Sequence, residues 1–213
     1  PKTYEHIDPE EVGNSRNIVV SDQSGKSNII SRLKTIGIEI EESDPKIKKL
    51  LDEVKDREFI GYSYDGADAS FELLLREEID GKRAQFFKIE KWETVVDRGD
   101  DGSVKSRANV TIIARGQKIE SSGSGNGPVN AIDTALREAL RASYPQLERV
   151  HLTDYKVRIL DSGSATGAVT RVLIDATDGE RTWTTIGVSA NIIEASWRAL
   201  EESLVFGLLH LQS

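Results

Sequence analysis

Gly123-Ser124-Gly125-Asn126-Gly127-Pro128-Val129-Asn130-Ala131-Ile132-Asp133-Thr134-Ala135-Leu136 is the stretch whose reading decides the fold. A glycine-rich approach runs straight into an amphipathic helix. Pro128 suits the first helical position, where a missing N–H costs nothing, and Gly127 or Asn126 can cap. Val129, Ile132, Leu136 and Leu140 then recur at helical spacing, with Asp133, Arg137 and Arg141 on the other side. Unpaired amides at such a start attract anions. The loop is therefore either a ligand site or a tight strand-to-helix turn that holds nothing.

A weaker copy follows in Gly187-Val188-Ser189-Ala190-Asn191-Ile192-Ile193-Glu194-Ala195-Ser196-Trp197-Arg198-Ala199-Leu200. Placing Gly123 on Gly187 also places Ala131 on Ala195, Ala135 on Ala199 and Leu136 on Leu200. This duplication organises the C-terminal part as two β-β-β-α units. Neither unit could bury its sheet face alone, so the fold class is α+β, one domain with pseudo-two-fold symmetry.

Working outward, the first copy opens at Phe87 and Ile89, then continues at Trp92, Thr94 and Val96, a phase slip that predicts a bulge near Glu90-Lys91. Asp97 to Gly102 reads as a hairpin turn, and Val104, Ser106, Ala108, Val110 and Ile112 share one face of the next strand. Gln117 to Ser121 completes the sheet. In the second copy, strands run over 152–159, 168–176 and 181–188, with Tyr155, Val157 and Ile159 on one face. The closing helix starts at Asn191, with Glu194 as its capping-box partner, and turns Ile193, Trp197, Leu200 and Leu204 inward.

Upstream, 1–81 reads as a helical linker and 82–213 as the duplicated domain. Asn17 to Ser21 is a short strand candidate. A helix through Ile29, Ile30 and Leu33 ends at Gly37; Asp44-Pro45 opens another, and Asp68 caps a third that stops at Asp80-Gly81. The Gly25-Lys26-Ser27 triplet is not a phosphate loop, because Val20 stands where that motif needs glycine. The linker holds too little apolar material to stand alone.

The 213 residues carry a net charge of −8, with no basic stripe, which argues against nucleic acid or an anionic membrane as partner. With no cysteine, neither disulfides nor a thiolate nucleophile is available, as suits a cytoplasmic protein. His6, His151 and His210 lack ligand spacing, so no metal site is expected here. No nucleophile, base and orienting group come together in sequence. The chain opens on Pro1 and has no methionine, so it reads as a piece of a longer protein. The chemistry that remains is a small-ligand site: a carboxylate on the helix start, and an aliphatic group against Val129, Leu152 and Tyr155. Those residues are otherwise simple core.

Four segments carry a resemblance: Tyr4-Glu5-His6-Ile7-Asp8-Pro9, Ser24-Gly25-Lys26-Ser27-Asn28-Ile29, Ala69-Ser70-Phe71-Glu72-Leu73-Leu74 and Asn191-Ile192-Ile193-Glu194-Ala195-Ser196-Trp197. Together they are similar to the C-terminal portion of the isopropylmalate and homocitrate synthase family, on its citramalate branch. The resemblance implies a missing catalytic (β/α)8 barrel with a divalent metal, a helical linker, and a regulatory domain that dimerises and binds the end-product amino acid. It implies no cofactor in this piece and an acyltransferase activity only in the whole protein. It implies that Tyr4 reaches a partner subunit's active site, its histidine companion lying upstream of Pro1. It also implies effector contacts from Gly125, Asn126, Gly127, Val129, Asn130, Leu152 and Tyr155, with isoleucine or leucine as effector. A dimerisation module with no ligand is the alternative.

Overall fold

A computed structural model describes residues 25–160 and 168–211. Tyr4 and the strand expected at Asn17 to Ser21 lie outside the described residues. The chain begins with three helices, α1 (Lys26–Thr35), α2 (Pro45–Phe59) and α3 (Asp68–Asp80). α1 stops where Gly37 takes a positive φ of 78°, and α3 where Gly81 takes 69°, both open to glycine at little cost. α2 is opened as its sequence predicts: Asp44 Oδ1 accepts from the Lys46 N–H at 2.8 Å with Pro45 at the first position. The expectation for α3 is corrected. Asp68 is the first helical residue, Ala67 holds the cap position, and the Asp68 carboxylate accepts instead from the N–H of Thr184, 3.0 Å away on a distant strand.

The duplicated part follows as β1 (Phe87–Arg98), β2 (Val104–Ala114), β3 (Gln117–Gly125) and α4 (Pro128–Leu140), then β4 (His151–Ile159), β5 (Thr170–Thr177), β6 (Thr182–Ser189) and α5 (Ile192–His210). Each trio is an antiparallel meander in sequence order. The register of β1 on β2 shifts between Ile89 and Lys91, where the hydrophobic phase slips. β3 is longer than its sequence suggests and runs through the glycines, with Gly123 opposite Ala108 and Gly125 opposite Ser106. The glycine-rich approach is thus mostly strand.

The reason is helix packing. A methyl group built on Gly123 would strike the backbone of Ala135 and meet the Ala131 carbonyl oxygen at 2.6 Å; one on Gly187 would strike the Ala195 carbonyl and meet Ala199 N at 2.9 Å. Both helices rest on their own sheet through glycine against alanine, at the positions that the duplication aligns. The main core lies between these layers, built on Val110, Ile112, Ile132, Leu136, Val172, Ile174, Leu200 and Leu204. Trp92 of the first unit stacks on Trp197 of the second, ring centres 5.6 Å apart, tying the halves together.

The halves differ on their outer faces. Ile186 and Val188 of β6 point away from α5 into a second core with Leu33, Leu50, Phe71 and Leu74, so α1 to α3 close over that sheet. This apolar face supplies what the linker lacks by itself. Ser70 of α3 reinforces the junction, accepting from Ile186 N–H at 2.9 Å while donating to Glu202 of α5.

Candidate functional site

The first turn of α4 is the place to start. Pro128 has no N–H, Ala131 N–H returns to the Gly127 carbonyl at 3.0 Å, and Val129 and Asn130 have no carbonyl one turn behind them. Gly127 at the cap is extended (φ −159°) and supplies no side chain to those amides. The duplicate helix is different: Asn191 Oδ1 accepts from Ile193 N–H at 2.8 Å and from Glu194 N–H at 3.3 Å. One of two equivalent helix starts is closed by its own side chain, and the other is bare. The capping box expected at α5 is only half formed, because the Glu194 carboxylate turns to Arg198 at 2.8 Å instead of back to the cap.

Gly125, Asn126 and Asn130 come together here, since Asn130 Oδ1 accepts from Asn126 N–H at 3.3 Å. Asn130 and Leu152 line a common cavity of about 460 Å³ running along α4 to the head of β4, with Asp133, Arg137, Tyr144 and His151. Val129 is half-buried beside it in sequence. Tyr155 does not line this cavity. It lies on β4 opposite Ile174, and its hydroxyl is 2.7 Å from Ser196 Oγ near the start of α5.

Sequence reasoning gave Asp133 and Arg137 to the wet side of α4, but both are mostly buried. Their side chains pair at 2.7 Å, and Arg137 also donates to the Val150 carbonyl at 2.7 Å. Burial pushes the Asp133 carboxyl above the usual range, while Arg137 pulls it back. Their i, i+4 spacing was the available signal. Ser106 was also missed: it is 1% exposed, and its hydroxyl has no hydrogen-bond partner among the described residues. Its inward alternation with Ala108, Val110 and Ile112 was the clue, since a hydroxyl at a core position needs a partner.

On the inner face of β4, Tyr155 (41%), Val157 (42%) and Ile159 (59%) remain exposed although their β5 neighbours Val172 and Ile174 are fully buried. Of α5, only Ser196 is hydrogen-bonded to this row, through the Tyr155 hydroxyl. Among the described residues, no helix is long and apolar enough to cross a membrane, and no group of three or more His, Cys, Asp or Glu could hold a metal ion.

Residues 65–206 match the family model described as the LeuA allosteric (dimerisation) domain, and residues 1–59 match the homocitrate synthase post-HMGL domain-like model. Similar curated proteins include the (R)-citramalate synthases of Streptomyces coelicolor (45% identical), Aquifex aeolicus (46%) and Synechocystis (45%). Each comparison covers 98% of this chain but 39% of the relative's length. With two β-β-β-α units, a helical approach and a match across both, this chain belongs to the LeuA allosteric (dimerisation) domain family.

Proposed function

We propose that this chain is the regulatory C-terminal portion of a citramalate synthase and binds a branched-chain amino acid, isoleucine, as the feedback inhibitor of the whole protein. What carries the reading is the unequal pair of helix starts: α5 is capped by Asn191, whereas α4 leaves its first amides without a side-chain acceptor. The effector's carboxylate takes that place, worth about 0.3–1 kcal/mol when exposed and up to about 2 when partly buried. Its aliphatic chain packs against Val129, Leu152 and Tyr155, contributing about 1.5–3 kcal/mol.

Two copies pair through the uncovered inner face of β4, bringing Tyr155 to the subunit boundary. The catalytic portion, which joins acetyl-CoA to pyruvate, belongs to the remaining length of the protein, together with its divalent metal. Tyr4 contributes to the active site of the partner subunit, and the protein works in the cytoplasm. Inhibition needs about 1–3 kcal/mol of coupling, carried from the duplicated domain through α3 to the linker helices.

Calorimetric titration of the purified chain with L-isoleucine, L-leucine and L-valine tests this. Isoleucine is expected to bind tightest. Tighter leucine binding points to the leucine-sensing isopropylmalate branch, and silence from all three leaves a dimerisation module without an effector.

A further inference from the structure

The duplicated units offer two matching places between a helix and a strand, and only one of them is filled. The offset that lays Gly123 on Gly187 also lays Asp133 of α4 on Trp197 of α5. On the strands it lays Val110 on Ile174 and Ile112 on Ala176; their ladder partners are Trp92 and Ile89 in β1, and Tyr155 and Leu152 in β4. In the β1 set the space is closed by indoles, Trp92 stacked on Trp197 with Ile89 alongside. In the β4 set a carboxylate stands where the second indole would be, and Tyr155 turns its hydroxyl to Ser196. What is left is the cavity of about 460 Å³ walled by Asn130, Asp133, Arg137 and Leu152. An unfilled place in an otherwise duplicated core suits a small ligand with an apolar part.

Asp133 sets the polar chemistry of that ligand. Its side chain is only 16% exposed, and a carboxylate has room for about four hydrogen bonds, yet it accepts one, from Arg137 Nε to Oδ1 at 2.7 Å. Arg137 turns its NH1 group away, to the carbonyls of Val150 at 2.7 Å and Leu147 at 3.4 Å. Arg141, the other guanidinium of the wall, is held by Glu138 at 2.9 Å. The second oxygen of Asp133 therefore has no donor among the described residues. Burial not fully repaid by Arg137 is what lifts its carboxyl above the ordinary value. A desolvated carboxylate with an oxygen to spare favours an ammonium, which brings both charge and donors.

We propose that Asp133 is a specificity-determining residue of the effector site and accepts a hydrogen bond from the effector's α-ammonium. This rests on the amino-acid-binding reading above and assigns the second charged end of the same ligand. Asn130 belongs to the first turn of α4 and Asp133 lies three residues further, about 4.5 Å along the axis, so one α-amino acid spans from the helix start to Asp133 with its aliphatic group toward Leu152. Such a site separates an amino acid from a carboxylic acid of the same shape.

The test compares L-isoleucine with (S)-3-methylpentanoate, which keeps the carboxylate and the aliphatic chain but has no ammonium, by calorimetric titration of the full chain and of Asp133→Asn. The parent should bind isoleucine at least about tenfold tighter than the acid, the loss expected for one charge-assisted hydrogen bond. Asparagine keeps an acceptor for Arg137 but not the charge. In the variant isoleucine should weaken at least about tenfold while the acid binds as before, so that the preference disappears. Equal weakening of both ligands would mean that Asp133 only shapes α4, and overturns its role while leaving the effector site standing. Should Asp133→Asn not fold, Asp133→Ser carries the same comparison, and equal affinity of the parent for the two ligands overturns the proposal without any variant. If the parent binds no amino acid at all, the effector reading fails and this inference with it.

Discussion

Gly187 of β6 lies so close under Ala195 of α5 that no side chain fits between them; even a methyl group would run into the Ala195 carbonyl and press on Ala199 N. The obstacle is helix backbone, which cannot swing aside as a long side chain can. Gly187→Ala should therefore lift α5 from its sheet and disturb the Trp92–Trp197 stack. A loss of at least about 1–3 kcal/mol is expected in urea unfolding, the usual range for overpacking. Gly127→Ala is the control. Its φ is extended and a methyl group there meets nothing within 4 Å, so stability should change by less than about 0.5 kcal/mol.

The two helix starts give a second contrast. Asn191→Ala removes the acceptor for two amides of α5 and should cost about 1 kcal/mol. Asn130→Ala removes a contact to Asn126 N–H and leaves the α4 cap position as bare as before. It should be close to neutral for folding, measured by thermal unfolding of the ligand-free chain, while weakening amino-acid binding.

Why the halves of the fold were unequally legible follows from the same residues. Alternation in β2 and helical spacing in α4 and α5 arise within single elements, and the glycine and alanine positions repeat, so the β-β-β-α units could be read directly. The true end of β3 could not. Whether Gly123 and Gly125 are loop or strand depends on what packs over them, and only the folded helix shows that their missing side chains serve close approach. Asp68 misled for a related reason: its side chain bonds Thr184 across more than a hundred residues, a partner that no local cap rule contains. The effector residues divide likewise: Asn130 and Leu152 meet on one cavity, whereas Tyr155 turns to Ser196, a partner on another element that its own strand pattern does not contain.

Glu202 makes the junction of α5 with the linker sensitive to pH. Burial raises its carboxyl above the ordinary value, against the opposing pull of Ser70, Arg83 and Arg57, while neighbouring Glu201 raises it further. A carboxyl with a raised folded pKa binds protons more readily folded than unfolded. Its contribution to stability is therefore greatest below the unfolded value near 4.5 and declines as pH rises toward the folded pKa. Glu202→Gln keeps an acceptor for Ser70 and removes the ionisation. Its urea midpoint should fall less than the parent's as pH is raised from about 4.5 toward neutrality. Glu72 works in the opposite sense. Bonds from His210 and Arg76 hold it below its ordinary value despite burial, so its stabilising contribution is lost as the solution becomes acidic through that lowered pKa. A steeper fall with rising pH in Glu202→Gln than in the parent would show that the carboxylate stabilises the junction in its charged form.

The inner face of β4 decides whether the chain pairs as proposed. Val157 stands opposite Val172, which is fully buried, yet is itself 42% exposed between Tyr155 and Ile159. An apolar row left open on the core-facing side of a sheet is the kind of surface that association covers. A second copy, related by two-fold symmetry, would lay the same row against itself. Val157→Asp should leave the monomer folded, since the site is open to water, but would place two unpaired carboxylates in a dry contact. Sedimentation equilibrium should then show the parent as a dimer and the variant as a monomer at micromolar concentration, with unchanged far-ultraviolet circular dichroism. A variant that remains dimeric would move the subunit contact elsewhere, and with it the place of Tyr155 at the boundary.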